Sequence, residues 1–368
     1  MKKLITVRQL IFILMISVLT LKVLSLPSLL AKDFGRDSYI FVLIFLLFDF
    51  VVLLLFLYLF NKFPNLTFYE LIFKIFGKVL SKIIMFILFV FFFAKCWAVF
   101  QSNYNYLNQN LYTKLNWLVF SLPILVTVLY ISKFGVNAAA RLTEVAVPIV
   151  ISGFILSLFV GLFRADFTSL LPVLEKGFLS KFGGALKYSF WFGDYIIFIV
   201  FFGNVKKEKH QNKKIIFSIL ATILILSFFM AVVYAVFKYS TICHSNSISD
   251  ILQVMPTASD IGNFDWILIL IWDIALFLYF TFNSLGAFYC FRQTFFKKNQ
   301  LLSICIILTL ILVLSMLSNF DINRGILIVQ QYLSYFCLFA QYLLPLIIFV
   351  FSFNLKRSKK NVKIFMEK

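Results

Sequence analysis

Five ionisable residues lie inside long apolar stretches of this chain: Lys22, Asp49, Lys95, Asp194 and Asp273. A charged side chain at the centre of a bilayer costs roughly 2.5–3.5 kcal/mol on insertion scales, so such residues turn inward, where they pair or line a functional site. Each of the two lysines has three carboxylates available, those of Asp49, Asp194 and Asp273. Lys22 and Asp273 lie about 13 Å from the outer ends of their stretches at helical rise, and the Lys22 stem can reach part of that distance. Lys95 and Asp49 lie near the middles of theirs, and structural pairing is the expectation for these two.

The other two charges, Lys22 and Asp194, coincide with helix breakers, which points to a binding site. Thr20, Lys22 and Ser25 precede Pro27 in one stretch, and Gly193 precedes Asp194 in another. Proline removes a backbone donor and clashes one turn back, while glycine gives up helix stability. In lipid the freed backbone groups must be satisfied by neighbours or by something bound. Candidate ligand contacts are therefore Lys22, Leu24, Ser25 and Pro27 at the first break and Phe192, Gly193 and Asp194 at the second. Half-helix ends offer amides to a carboxylate and carbonyls to an ammonium or a cation, which suits a zwitterionic amino acid. Two ordinary kinks are the alternative. Further wall residues are Trp97, Asn103 and Tyr104 on one stretch and Tyr279 and Asn283 on another. With 19% aromatic residues in the chain, lipid contact or packing competes for each aromatic one.

The elements that carry these residues are ten apolar stretches: Val7–Ala31, Ser38–Phe60, Ile83–Tyr106, Leu115–Ile131, Leu142–Phe163, Leu186–Asn204, Ile215–Phe237, Phe264–Cys290, Leu301–Ser318 and Ile326–Phe353. Crossing a bilayer takes roughly 20 mainly apolar residues. The chain is 62% hydrophobic and 13% charged, with 50 Phe, whereas a soluble domain has about a quarter of its residues charged. Long uncharged runs indicate helices rather than alternating barrel strands. The expected fold class is an all-α integral membrane protein, with a single transmembrane domain over 1–354 and a basic tail over 355–368. The stretches that carry the breaks, the first and the sixth, each open a run of five. Five is odd, so the second run is inverted relative to the first. Discontinuous helices 1 and 6 at matching positions of two inverted five-helix repeats, about 7–163 and 186–354, place a site at the midplane. That arrangement is a leucine-transporter-type fold.

Most of the 34 Lys and Arg fall on the side that holds the N-terminus, including Lys206, Lys207, Lys209, Lys213 and Lys214 in one loop and those of the tail. Both termini are therefore expected in the cytoplasm. The net charge of +19 sits beside helix ends, where it suits anionic headgroups of the lipid bilayer rather than nucleic acid. Cys96, Cys290, Cys305 and Cys337 lie within the stretches, which indicates packing and not a disulfide framework. Phosphate-binding loops, dinucleotide fingerprints and metal-binding Cys/His clusters are absent from the sequence, and His210 and His244 fall on opposite sides of the membrane. No enzyme activity, metal or cofactor is expected. Thr67 and Glu70 form a capping box that opens a short helix over Phe68–Phe76, ended by Gly77. Outside the membrane, 164–185 and 239–263 are the longest loops. Arg141 and Glu144, three apart at the start of the fifth stretch, share a helical face. They are a candidate conformational latch; the alternative is a local role for each, at the helix dipole and the headgroups.

The run Gly135-Val136-Asn137-Ala138-Ala139-Ala140-Arg141-Leu142-Thr143-Glu144-Val145-Ala146-Val147-Pro148 resembles the signature of spore germination permeases, the B subunits of nutrient germinant receptors. Pro64-Asn65-Leu66-Thr67, Leu170-Leu171-Pro172-Val173, Met255-Pro256-Thr257 and Asp265–Trp272 are similar to other segments of that family. Leu21-Lys22 stands where the family usually carries small residues. The resemblance implies membership of the amino acid–polyamine–organocation superfamily and a place in the spore inner membrane. It also implies an A subunit and a lipoprotein C subunit as partners, and a small nutrient, typically an amino acid, as ligand. Lys22 would then supply a fixed positive charge where related transporters place a coupling cation. A secondary amino acid or amine transporter with the same pocket is the alternative, and a membrane scaffold without a working pocket is a third.

Overall fold

The computed structural model describes residues 4–64, 66–111, 115–174, 177–253, 265–295, 300–318 and 332–353. Asn65, the Met255-Pro256-Thr257 segment, Phe264, the start of the expected tenth stretch at Ile326 and the basic tail lie outside the described residues. The described residues are mostly helical: α1 Val7–Leu24, α2 Leu26–Phe34, α3 Ser38–Lys62, α4 Phe68–Asn110, α5 Trp117–Phe134, α6 Val136–Arg164, α7 Phe178–Ala185, α8 Gln211–Phe237, α9 Ser247–Gln253, α10 Asp265–Thr294 and α11 Gln300–Ser318. A last helix, α12, runs over Tyr332–Ser352. Among the described residues eight helices are long and apolar enough to cross a membrane, and a bent pair over Phe182–Trp191 and Asp194–Phe201 makes a ninth. The apolar part of α11, Leu301–Met316, is shorter.

Burial separates a centre from a shell. In α1, 78% of the apolar window is buried inside the protein, against 39% in α5 and in α6. The outward faces of α5 and α6 carry Val119, Leu122, Val126, Val145, Ile155 and Phe159, all exposed and apolar, as lipid-facing helices require. α1 packs against α6, α8 and α10, and α4 runs along α10. The segment Asp194–Phe201 is held between α1, α3 and α10.

Local sequence explains the ends of these elements. Thr67 caps α4 as expected: its hydroxyl accepts from Glu70 N while the Glu70 carboxylate accepts from Thr67 N at 2.8 Å. Gly77, at φ +76°, turns the first segment of α4 away from the rest. A second capping box, Thr6 with Gln9, opens α1. Just before α1, Ile5 exchanges backbone hydrogen bonds with the chain just after the bent segment, Ile5 N to Asn204 O at 2.9 Å and Lys206 N to Ile5 O at 2.8 Å.

The two breaks differ in depth. At the first, only Ser25 leaves the helix, and its backbone stays in the right-handed region (φ −103°, ψ −17°). Pro27 falls in the first turn of α2, where a missing N–H is tolerated. The second is more than an interruption. The stretch expected to be α-helical is built from two 3-10 segments, Leu186–Trp191 and Asp194–Phe201, and the helical run Phe182–Trp191 meets the second at 41°. Runs of 3-10 helix longer than about four residues are uncommon and often mark a functional hinge. A π turn over Phe339–Leu343 interrupts α12 as well. Pro345 follows four residues after Gln341, whose carbonyl it cannot serve, and a π turn accommodates that loss.

Candidate functional site

Gly193 sets the geometry of the second break. It lies in the left-handed region (φ +84°, ψ 17°), and a Cβ there would stand 2.2 Å from Gln341 Oε1. Only glycine meets both conditions. The turn presents the Gly193 N–H and the Phe192 carbonyl to opposite partners. Both oxygens of Asp49, on α3, accept the Gly193 N–H at 3.0 and 2.9 Å. Lys95, on α4, donates to the Phe192 carbonyl at 2.8 Å.

Asp194, the next residue, gathers both lysines. Lys22 Nζ, from α1, donates to Asp194 Oδ2, and Lys95 Nζ lies 3.5 Å from Asp194 Oδ1. The Tyr279 hydroxyl, from α10, donates to Asp194 Oδ1. Tyr342, from α12, donates to Asp49 Oδ1 at 2.8 Å. Rings complete the enclosure: Lys22 lies 5.4 Å from the centroid of Phe192, and Lys95 5.2 Å from that of Phe190, distances that suit cation–π attraction. Lys22, Lys95 and Asp49 are each 1% exposed.

This is a buried cluster of two cations and two anions, carried by α1, α3, α4 and the 3-10 break, with no net charge. Its desolvation is offset by mutual attraction and by neutral donors that fill the remaining lone pairs. Chemically it can do one thing well. A ligand that brings its own carboxylate and ammonium can exchange partners with Asp194 and Lys22 and leave the net charge unchanged.

Beside the start of α4 lies a cavity of about 200 Å³, lined among others by Thr67, Gly135, Val136, Asn204, Tyr289 and Arg292. Gly135 (φ +78°) separates α5 from α6, so the junction that carries the signature forms part of this wall. Val200, near the end of the Asp194–Phe201 segment, and Phe202, just past it, belong to the same wall. The cavity therefore begins below the charge cluster on the same broken segment.

The other sequence candidates fall into three places. Lys22, Phe192, Gly193, Asp194, Tyr279, Asp49 and Lys95 meet in the cluster. Of the three carboxylates open to it, Lys95 takes Asp194, together with the Phe192 carbonyl, while Asp49 serves the freed amide of Gly193. Leu24, Ser25 and Pro27 lie at the first break, one turn from Lys22. Tyr104 is elsewhere; its hydroxyl donates to Leu115 O at 2.9 Å near the C-terminal end of α4. Trp97 Nε1 is buried and lacks a hydrogen-bond partner, and Asn283 donates to Tyr279 O at 2.8 Å. Asp273 is hydrogen-bonded by Asn103. Glu144 does not form its hydrogen-bonded ion pair with Arg141. Its partner is Arg8 of α1, at 2.7 Å, while Arg141 is exposed. The link between α6 and α1 is tertiary and not local.

Sequence reasoning missed Gln341, Tyr342 and Phe190. Gln341 Nε2 donates to Ser189 O at 2.9 Å and its Oε1, against Gly193, has no hydrogen-bond partner. The available signal was Pro345, which marks a disturbed turn at Gln341-Tyr342.

An all-helical integral membrane protein whose buried charges collect at broken helices is the class that fold and site define. The chain belongs to the Spore_permease family of spore germination proteins, whose model matches residues 4–323. That span takes in both breaks and all four charges of the cluster. It bears out the resemblance read from Gly135–Pro148, and the family is one of permeases and receptors rather than of enzymes. No individual curated protein matches the chain.

Proposed function

We propose that this protein is the membrane subunit of a spore nutrient-germinant receptor. It binds a small nutrient, an amino acid by its charge pattern, between α1, α4, α10 and the 3-10 break. The ten crossings form two inverted five-helix repeats, both termini face the cytoplasm, and the membrane is the spore inner membrane. An A subunit and a lipoprotein C subunit read the conformational change. The carrying observation is the closed Lys22–Asp194–Lys95–Asp49 cluster at the deeper break. A zwitterion of matching charges takes over part of that cluster, and its differential affinity for the two arrangements shifts the population.

The test is a screen of amino acids against the purified receptor complex by isothermal titration calorimetry, repeated with Asp194→Asn. Loss of binding in a variant that still assembles supports the site; unchanged affinity places it elsewhere. A second reading, a secondary amino acid or amine transporter, draws support from the inner cavity, which continues from the same broken segment. Uptake of the ligand into proteoliposomes by this chain alone would favour it.

A further inference from the structure

Three aspartates, Asp49, Asp194 and Asp273, lie deep in the apolar stretches, and the two buried lysines are committed to one of them. Asp273 lies on α10, six residues before Tyr279, about 9 Å along the helix axis. Asn103 of α4 hydrogen-bonds its carboxyl. Asp273 Oδ1 is buried and has no partner, and the same holds for Asn103 Oδ1, whose residue is 2% exposed. Two acceptor oxygens on facing helices are thus left without a donor.

Neighbouring ionisable groups are accounted for. On α1 and α4, Lys22 and Lys95 face Asp194. Tyr279, on α10 itself, donates to the same carboxylate, and Tyr195 carries the break's other hydroxyl, buried without a partner. Elsewhere on α4, Tyr104 donates to Leu115 O, Tyr106 bonds Ser249, and Cys96 faces Ser284 of α10. Asp250 of α9 is engaged by His244, and Glu144, at the far end of α6, by Arg8. Among the described residues no cation forms an ion pair with Asp273.

Asp273 is half-buried, but a carboxylate whose Oδ1 is shut off from solvent with no counter-charge is so costly that the group neutralises instead. Hard metal cations collect six or more oxygens, and this place offers two. A proton needs only one oxygen to hold it and one to accept from it. We propose that Asp273 is a proton-binding site. A proton from water forms the Oδ1–H bond and is directed at Asn103 Oδ1, while the Asn103 amide N–H bonds the other carboxyl oxygen. The reciprocal acid–amide pair satisfies both orphaned acceptors. It also closes the charge balance of the five deep residues: Lys22 and Lys95 with Asp49, Asp194 and Asp273 sum to −1, and one proton brings the set to zero.

The test is infrared spectroscopy of the full chain in lipid nanodiscs, titrated from acid to alkaline pH. The wild type is expected to show the C=O stretch of a protonated carboxyl at neutral pH. Asp273→Asn is expected to lose it, and Asn103→Ala to keep it at a higher frequency, since the hydrogen bonds that lower the frequency are gone. Absence of the band at neutral pH in the wild type overturns the proposal, as does its survival in Asp273→Asn. Disappearance of the band when sodium replaces a bulky organic cation at constant pH also overturns it, in favour of a metal ion. Should Asp273→Asn fail to fold, judged by circular dichroism, the Asn103→Ala shift decides: an unmoved band overturns the assignment.

Discussion

At the Phe192–Gly193 break two lysines and two aspartates neutralise one another; one and a half turns along α10, Asp273 faces an asparagine. Both places take carboxylate oxygens out of solvent, fully at Asp49 and Asp194 and for Oδ1 alone at Asp273, yet they answer the cost of desolvation differently. In the cluster the remedy is opposite charge, backbone amide and phenol brought from several helices. At Asp273 the remedy on offer is a single amide and a proton. The contrast separates groups whose removal strands a charge from a group whose removal strands none.

The largest effect is expected at the hub of the cluster. Asp194→Ala leaves Lys22 and Lys95 without their carboxylate, and breaking a buried pair on one side costs about 3–5 kcal/mol. Thermal unfolding in detergent measures it, and a loss below about 1 kcal/mol would remove the cluster from the fold's foundations. The break itself comes next. Gly193→Ala places a Cβ against Gln341 and holds a non-glycine residue at φ +84°, for about 1–3 kcal/mol of backbone strain. Adding Gln341→Ala should relieve the collision and leave the strain.

Smaller is the coupling between charges. Lys22→Met combined with Asp194→Asn returns the cluster to neutrality, so the double variant should cost less than the two singles summed, by about 0.5–3 kcal/mol. Additivity would show that Lys22 and Asp194 do not act as a pair. At the other place, Asp273→Asn should leave stability at neutral pH nearly unchanged. The wild type should lose stability as pH rises, because ionising Asp273 inside the fold strands a charge, and the variant should not. Parallel pH profiles would erase the distinction between the two regions.

The smallest effect belongs to an exposed pair outside the membrane, Asp166 with Lys238 at 2.8 Å. The hydrogen bond from Lys238 holds the Asp166 carboxyl down to about 2. A depressed carboxyl contributes stability above its ordinary value of about 3.9, and the contribution is lost as pH falls towards about 2. Asp166→Asn should flatten that part of the acid-unfolding profile, and added salt should shrink the difference.

The readable parts of the fold were local ones. The Thr67–Glu70 box and the turn at Gly77 follow from neighbouring residues, and the structure has both. Gly193-Asp194 was legible as a break because glycine and a charge together defeat an apolar helix. The 3-10 character of that segment was not legible, since it depends on how α1, α3 and α10 hold it. Spacing made Arg141 the natural partner of Glu144, but α1 brings Arg8 closer. The charge of Asp49 was evident, whereas its role as acceptor for the Gly193 amide required the turn to exist. Gln341 and Tyr342 escaped notice because polar residues near a proline are common, and their meaning comes from facing the break.

By itself the sequence determined that lipid is the solvent, which stretches are apolar enough to cross it, where helices begin and break, and which five charges lie within it. Hydropathy, capping and helix breaking act within a few residues, so a linear reading reaches them. Only the tertiary structure decided which carboxylate takes both lysines and which is left with an asparagine. Pairing across the interior is set by the rotation and depth of helices far apart in the chain, and no local pattern records those.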